Sequence, residues 1–270
     1  MHDSIICFLS HKSKLKMKFR LLFALSLIFL LTACSPFSKE LDKKIIADGL
    51  TPKLIYQQAK DKANSGTLEQ AIDQYKILLE SYPSSKYAIQ ARLDISYNLF
   101  QLKKYNLAIN ELNLFIDKYP SLPVTPYAFY LRGVISEEKS SSILDKVVTD
   151  SAQRDVQSVR DAYKYFSLLI EKFPESEYSV EARSKLVSLK NTLSRHEFYV
   201  ALYYTKKGSF IGAINRSKFI IENYPGSNSI PDALHLMAQN YDSIGADELA
   251  KSTRIILKTN FPGYIQRYKI

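Results

Sequence analysis

The chain has 270 residues, 46% hydrophobic, with a formal net charge of +10. That is ample apolar material for a buried core in one or two domains. The only cysteines are Cys7 and Cys34, both near the N-terminus, which excludes a disulfide framework or a cysteine zinc site in the rest of the chain. The basic residues are scattered rather than clustered, as on a solvated surface, and no nucleic-acid partner is expected. Tyr is abundant, with 19 copies, and Trp is absent; in helical proteins such Tyr commonly fills the core while its hydroxyl stays wet.

Residues 12–34 read as a targeting segment rather than as fold. Lys12, Lys14, Lys16, Lys18 and Arg20 precede an apolar run from Leu21 to Leu31, interrupted by Ser26. The run is shorter than the roughly 20 residues of a membrane span and matches the core of a secretory signal. It ends in Leu31-Thr32-Ala33-Cys34, which resembles the lipobox of bacterial lipoproteins, where the Cys becomes the first mature residue and carries lipid. The resemblance implies a signal peptide over 1–33, a lipid on Cys34 as the only attached group with no other cofactor, and membrane contact through that anchor alone. Met17 opens a signal of ordinary length, so 1–16 reads as an extension ahead of the true start. Ser35 stands where an Asp would resemble an inner-membrane retention signal, which implies the outer membrane. Residues 34–50 are polar and read as a tether.

From residue 51 the chain repeats itself. An Ala stands twelve residues before a Pro five times: Ala71/Pro83, Ala108/Pro120, Ala162/Pro174, Ala213/Pro225 and Ala250/Pro262. The residue before each Pro is aromatic: Tyr82, Tyr119, Phe173, Tyr224 and Phe261. Gly66, Gly208 and Gly245 stand five before their Ala. The Pro stops a helix, the twelve residues supply about three turns, and the Gly accepts the left-handed turn after a preceding helix. Within the copies the apolar residues follow a 3.6-residue period, as in Leu68, Ala71, Ile72, Tyr75, Leu78 and Leu79. Copy four keeps the stripe except for Ser217, and copy five, with Asp247, Lys251 and Arg254 on it, is degraded as a solvent-facing terminal repeat would be. The pattern resembles the tetratricopeptide repeat. The expected fold is all-α, an α-solenoid of five tetratricopeptide-like helical hairpins.

Thr51-Pro52 predicts the start of the first helix, and Ser84-Ser85 opens the second repeat. The spacing between the repeat alanines is 37, 54, 51 and 37. The 54 contains an insertion near 140–157 without clear period, read as a loop or lid. The 51 contains apolar or aromatic residues at 178, 182, 186, 189, 193, 196, 200 and 203 with no breaker before Gly208. This predicts one helix of about 30 residues, with His196 on its seam, joining two halves. Repeats one to three then occupy 51–175, the long helix with repeats four and five occupies 176–263, and 264–270 is a tail.

Catalytic signatures are missing. His196-Glu197 begins like a zinc-protease motif, but Val200 stands where the second His is required. There is no Gly-rich phosphate loop and no Gly-x-Ser-x-Gly, so a binding scaffold is expected rather than an enzyme.

Several phrases go beyond a generic repeat: Gln90-Ala91-Arg92-Leu93-Asp94-Ile95-Ser96-Tyr97, Tyr130-Leu131-Arg132-Gly133, Phe173-Pro174-Glu175-Ser176-Glu177-Tyr178, Val200-Ala201-Leu202-Tyr203-Tyr204, Lys207-Gly208 and Ala213-Ile214-Asn215-Arg216. With the lipobox they resemble the BamD family of the outer-membrane β-barrel assembly (BAM) machinery, over nearly all of the mature chain. After the insertion that family tends to carry Asp-Arg-Asp-Pro, where this chain has Gln153-Arg154-Asp155-Val156. The resemblance implies a lipoprotein scaffold that docks on the periplasmic POTRA region of BamA, beside other BAM lipoproteins, and receives unfolded outer-membrane proteins. It implies that Lys207, Asn215 and Arg216 face BamA, Arg216 offering a bidentate contact to a partner carboxylate. It also implies a substrate groove on repeats one to three, with Tyr56, Tyr87, Tyr97 and Tyr127 as candidate anchors, although each of these also reads as core. The alternative is a periplasmic repeat lipoprotein that serves as adaptor for cell-wall hydrolases or proteases.

Overall fold

The computed structural model describes residues 50–140 and 156–269. The signal peptide, Cys34, most of the tether, and the insertion with its Gln153-Arg154-Asp155 lie outside the described residues. Among the described residues there are ten helices and no strand: α1 (Pro52–Asn64), α2 (Leu68–Ser81), α3 (Lys86–Gln101), α4 (Tyr105–Lys118), α5 (Thr125–Ser140), α6 (Gln157–Lys172), α7 (Glu177–Lys206), α8 (Phe210–Asn223), α9 (Ile230–Ser243) and α10 (Asp247–Asn260). Consecutive helices pack as hairpins, which is the expected solenoid.

The repeated sequence does what its chemistry requires. All five repeat alanines are 0% exposed, because a small side chain there lets the neighbouring helix approach. Each pre-proline aromatic is the C-cap of its even-numbered helix, with its N–H bonded to the carbonyl four residues earlier: Leu78, Phe115, Leu169, Ile220 and Leu257. Their extended φ values, from −125° to −137°, are the conformation a following Pro imposes. Thr51, Ser85 and Ser176 cap α1, α3 and α7, each side chain accepting from a backbone N–H of the first turn. The predicted glycines turn the chain with φ of 82° at Gly66, 72° at Gly208 and 71° at Gly245. In copy two the same position is Lys103, which adopts φ 58° without being glycine.

Second-neighbour packing runs along the odd helices, α1–α3, α3–α5, α5–α7 and α7–α9. These helices therefore form the inner, concave layer of the superhelix, and the even helices form its back. The core is a chain of local clusters rather than one centre: one around Tyr75, Leu112 and Phe115, a second around Phe166, Leu169 and Leu193, and two in the last hairpins.

Two expectations change. The long helix is present as α7, with 30 residues, but its predicted seam holds only as far as Leu193. Beyond that, His196 and Val200 are half-buried and Tyr203 is exposed, while Ser194, Glu197, Phe198 and Ala201 are buried. The cause is a change of partner: α7 packs against α6 on one side and against α8 and α9 on another, so a single stripe cannot serve both. In α10 the charged stripe residues Asp247, Lys251 and Arg254 are exposed, as expected of a solvent-facing terminal repeat, with Leu249, Ile255 and Ile256 exposed beside them. The segment after α10 is not a free tail. Tyr264, Arg267 and Tyr268 bond to Asp232, His235 and Gln239 of α9.

Candidate binding surfaces

The inner layer of the N-terminal half presents a tyrosine-rich face around one carboxylate. Tyr87, Gln90, Asp94 and Tyr97 follow one another at helical spacing on α3. Tyr56 of α1 donates its hydroxyl to Asp94 Oδ2 at 2.8 Å, and Gln90 Nε2 donates to Oδ1 at 3.3 Å. The ring of Tyr56 lies 5.6 Å from that of Tyr87 and 5.7 Å from that of Tyr75. Farther along, Tyr178 of α7 packs against Tyr127 at 5.5 Å and Tyr130 at 5.4 Å.

Burial followed by the nearby Tyr97, Tyr178 and Asp94 raises the Tyr127 hydroxyl to about 12, and burial with the Asp94 hydrogen bond raises Tyr56. These phenols stay protonated donors at any physiological pH. Tyr56, Tyr87 and Tyr127 are half-buried and rest on the core, whereas Tyr97 is 44% exposed and packs edge-on to Phe100. Tyr56, Tyr87 and Tyr127 thus support the core, as one of the two readings had it, while Tyr97 faces outward.

The joint between the halves is a buried ion triad. Glu197 of α7 is 2% exposed and accepts from Arg160 of α6 at 2.8 Å and from Arg216 of α8 at 2.9 Å. The two guanidiniums keep an outer side in water, with 39% and 43% of their side chains exposed. Burial opposes the charge on Arg160, but the Glu197 hydrogen bond and field outweigh it and its pKa rises. Arg216, expected to wait for a partner carboxylate, is thus already held by one from its own chain. Lys207 is the exposed C-cap of α7, with its ammonium 5.8 Å from the Tyr203 ring, and Asn215 is exposed on α8. Lys207 therefore stands at the α7–α8 turn, apart from the joint that holds Arg216.

Among the described residues there is no cluster of side chains suited to a metal ion, and no helix is long and apolar enough to cross a membrane. Residues 49–256 match the YfiO family, described as an outer membrane lipoprotein. The chain belongs to that family. It is 34% identical to an outer membrane protein assembly factor BamD of Neisseria meningitidis serogroup A, over 90% of this chain and 91% of the relative. It is 30% identical to the BamD of Xylella fastidiosa strain 9a5c, over 82% of this chain and 76% of the relative. Among solved structures, a tetratricopeptide repeat protein from Parabacteroides merdae aligns with 82% of this chain and 70% of its own at 16% identity and a TM-score of 0.40.

Membership of the YfiO family spans both halves of the solenoid, the tyrosine face and the ion triad included. Three participants were not singled out from sequence: Asp94, Arg160 and Glu197. Asp94 had a readable signal, its position seven after Tyr87 and three before Tyr97 on one helical face. Glu197 had none, because a charge at a buried position reads as surface until its two partners are brought to it.

Proposed function

We propose that this chain is a lipid-anchored scaffold of outer-membrane β-barrel assembly, acting by binding and not by bond making. The observation that carries this reading is the tyrosine face around Asp94, set in a chain aligned over 90% of its length with a protein named as an outer membrane protein assembly factor. Rigid aromatic side chains with hydroxyl donors suit an extended, unfolded polypeptide, since they offer apolar area and hydrogen bonds at low entropic cost. The C-terminal half, with Lys207, Asn215 and the outer side of Arg216, serves as the dock for the periplasmic region of BamA. Cys34 carries the lipid that holds the scaffold at the periplasmic face of the outer membrane.

The test is photo-crosslinking from position 97 in cells making an outer-membrane β-barrel protein, with BamA co-purification from the Arg216→Gln variant. Crosslinks to the unfolded barrel protein and reduced BamA recovery are expected. Absence of crosslinks with unchanged BamA recovery would reject the assignment. Cys34→Ala should release the chain from membranes on alkaline washing.

A further inference from the structure

The chain after α10 runs back as an extended strap along α9, in the inner layer of the C-terminal half. Its anchors are three side chains. Tyr264 donates to Asp232 Oδ1 at 2.8 Å, and Arg267 donates to Asp232 Oδ2 at 2.7 Å and to the Asn228 carbonyl at 3.1 Å. The Tyr268 ring sits 5.0 Å from that of Phe198 on α7, and its hydroxyl bonds to His235 Nδ1 at 2.9 Å and Gln239 Oε1 at 3.2 Å. The groove between α7 and α9 therefore already holds one peptide, and it reads an aromatic residue, an arginine three residues on and a second aromatic directly after it.

The rest of the strap is lightly held. Ile265 is 80% exposed, and Gln266 and Lys269 are exposed. Among the described residues no backbone–backbone hydrogen bond joins residues 265–269 to a helix. A peptide added to a sheet edge is fixed by its main chain; this segment is fixed by side chains that can let go one at a time. It leaves α10 through Pro262 and Gly263, where a Cβ on the glycine would meet open space, so nothing packs against the hinge. A cleft of about 500 Å³ remains between the strap and α7, within the usual size of a ligand site. An incoming chain has room to settle there before the strap has left.

Asp232 decides what can replace the strap. Its side chain is only 12% exposed beneath the strap, and the two groups that bond its carboxylate, Tyr264 and Arg267, both belong to the strap. A sheltered carboxylate that loses its donors must find others, because its desolvation cost persists. Lifting the strap bares this carboxylate together with the Phe198 ring, an acceptor beside an aromatic surface.

We propose that this groove is a peptide-binding site with the strap as its built-in competitor, and that it takes an extended segment of a partner polypeptide with the pattern aromatic-x-x-Arg-aromatic. The partner's segment makes between chains the contacts that Tyr264, Arg267 and Tyr268 make within one, and its docking releases the C-terminus. The tethered strap competes at an effective concentration on the order of millimolar, so segments that lack the pattern are kept out. No residue of this groove belongs to the tyrosine face, and none is Lys207, Asn215 or Arg216.

The test uses the full chain in detergent and fluorescence anisotropy of a labelled peptide, Pro-Gly-Tyr-Ile-Gln-Arg-Tyr-Lys, the sequence of residues 262–269. Tyr264→Ala/Tyr268→Ala, which frees the groove, is expected to bind the probe at least about tenfold more tightly than the unaltered chain, since a groove open about a tenth of the time loses about that factor. Arg267→Gln, a change at a side chain that is 58% exposed, should move the affinity in the same direction by less. Adding Asp232→Asn to the double variant should weaken the probe about tenfold, and a probe with both tyrosines replaced by alanine should not bind. Equal affinity in the unaltered chain and both strap variants, or no binding to any of them, would overturn the proposal. An equal loss on adding Tyr97→Ala in place of Asp232→Asn would also overturn it, by placing the peptide on the tyrosine face. Unchanged helical circular dichroism of Arg267→Gln keeps that comparison independent of any loss of folding in the double variant.

Discussion

Arg216 of α8 donates to Glu197 of α7 at 2.9 Å, and the carboxylate it meets is 2% exposed and shared with Arg160 of α6. One buried charge therefore ties together the last helix of the N-terminal repeats, the long helix and the first helix of the C-terminal hairpins. A buried carboxylate is tolerated only while its cations remain, because the desolvation cost persists when a partner is removed.

Arg216→Glu would set a second carboxylate against Glu197. It should destabilise the chain by about 3 kcal/mol, seen as a fall of roughly 6–12 °C in the thermal midpoint. Arg216→Gln should cost less than half as much, since Arg160 still neutralises Glu197. Partner binding is therefore better read from Arg216→Gln. Equal midpoints for the two variants would show that the pair carries no stability.

Gly133 is placed by a close helix crossing. A Cβ on it would lie 2.6 Å from Cε1 of Phe166, and the Phe166 ring, fully buried, has no room to retreat. Gly133→Ala should cost about 1–3 kcal/mol through overpacking between α5 and α6, despite the better helix propensity of Ala. Chemical denaturation would register it, and a stabilised variant would contradict the packing.

Lys103 occupies the turn position that is glycine in three other copies, at φ 58°. Lys103→Gly should relieve the left-handed strain and, after the added freedom of the unfolded chain, gain about 0.5–1 kcal/mol. Gly66→Ala, at φ 82° with open space around it, should lose about 1 kcal/mol by the same argument reversed. Denaturant midpoints of the two variants should move in opposite directions.

His235 makes the strap sensitive to acid. Burial lowers its pKa below the ordinary value of about 6.5; the Asp232 field pulls it up and the Arg254 field pushes it down. The folded-state pKa is depressed for a base, so the unfolded chain takes up the proton first. Stability is then unaffected above about pH 6.5 and falls as the pH drops below it. Melting curves at pH 7.5 and 5.5 should show a drop that is smaller in His235→Gln. An identical drop in the variant would mean that other groups carry the effect.

The sequence by itself determined the repeating unit. Ala, helix, aromatic, Pro is a local grammar: the Pro forces the residue before it extended, the Gly permits a left-handed turn, and the period of 3.6 selects a buried stripe. Those are short-range effects, so the hairpins and the 30-residue α7 were readable, as were the phrases that carry the family resemblance. Tertiary structure alone decided where charge is buried. Glu197 and Arg160 lie 37 residues apart, and Tyr56 and Asp94 lie 38 apart; no local pattern relates such positions. The seam of α7 failed past Leu193 for the same reason, because which side of a helix is inside depends on the partners that arrive. The strap was read as a tail because extended chain has no period, and only the arrival of Asp232, His235 and Phe198 from distant helices gives its side chains something to hold.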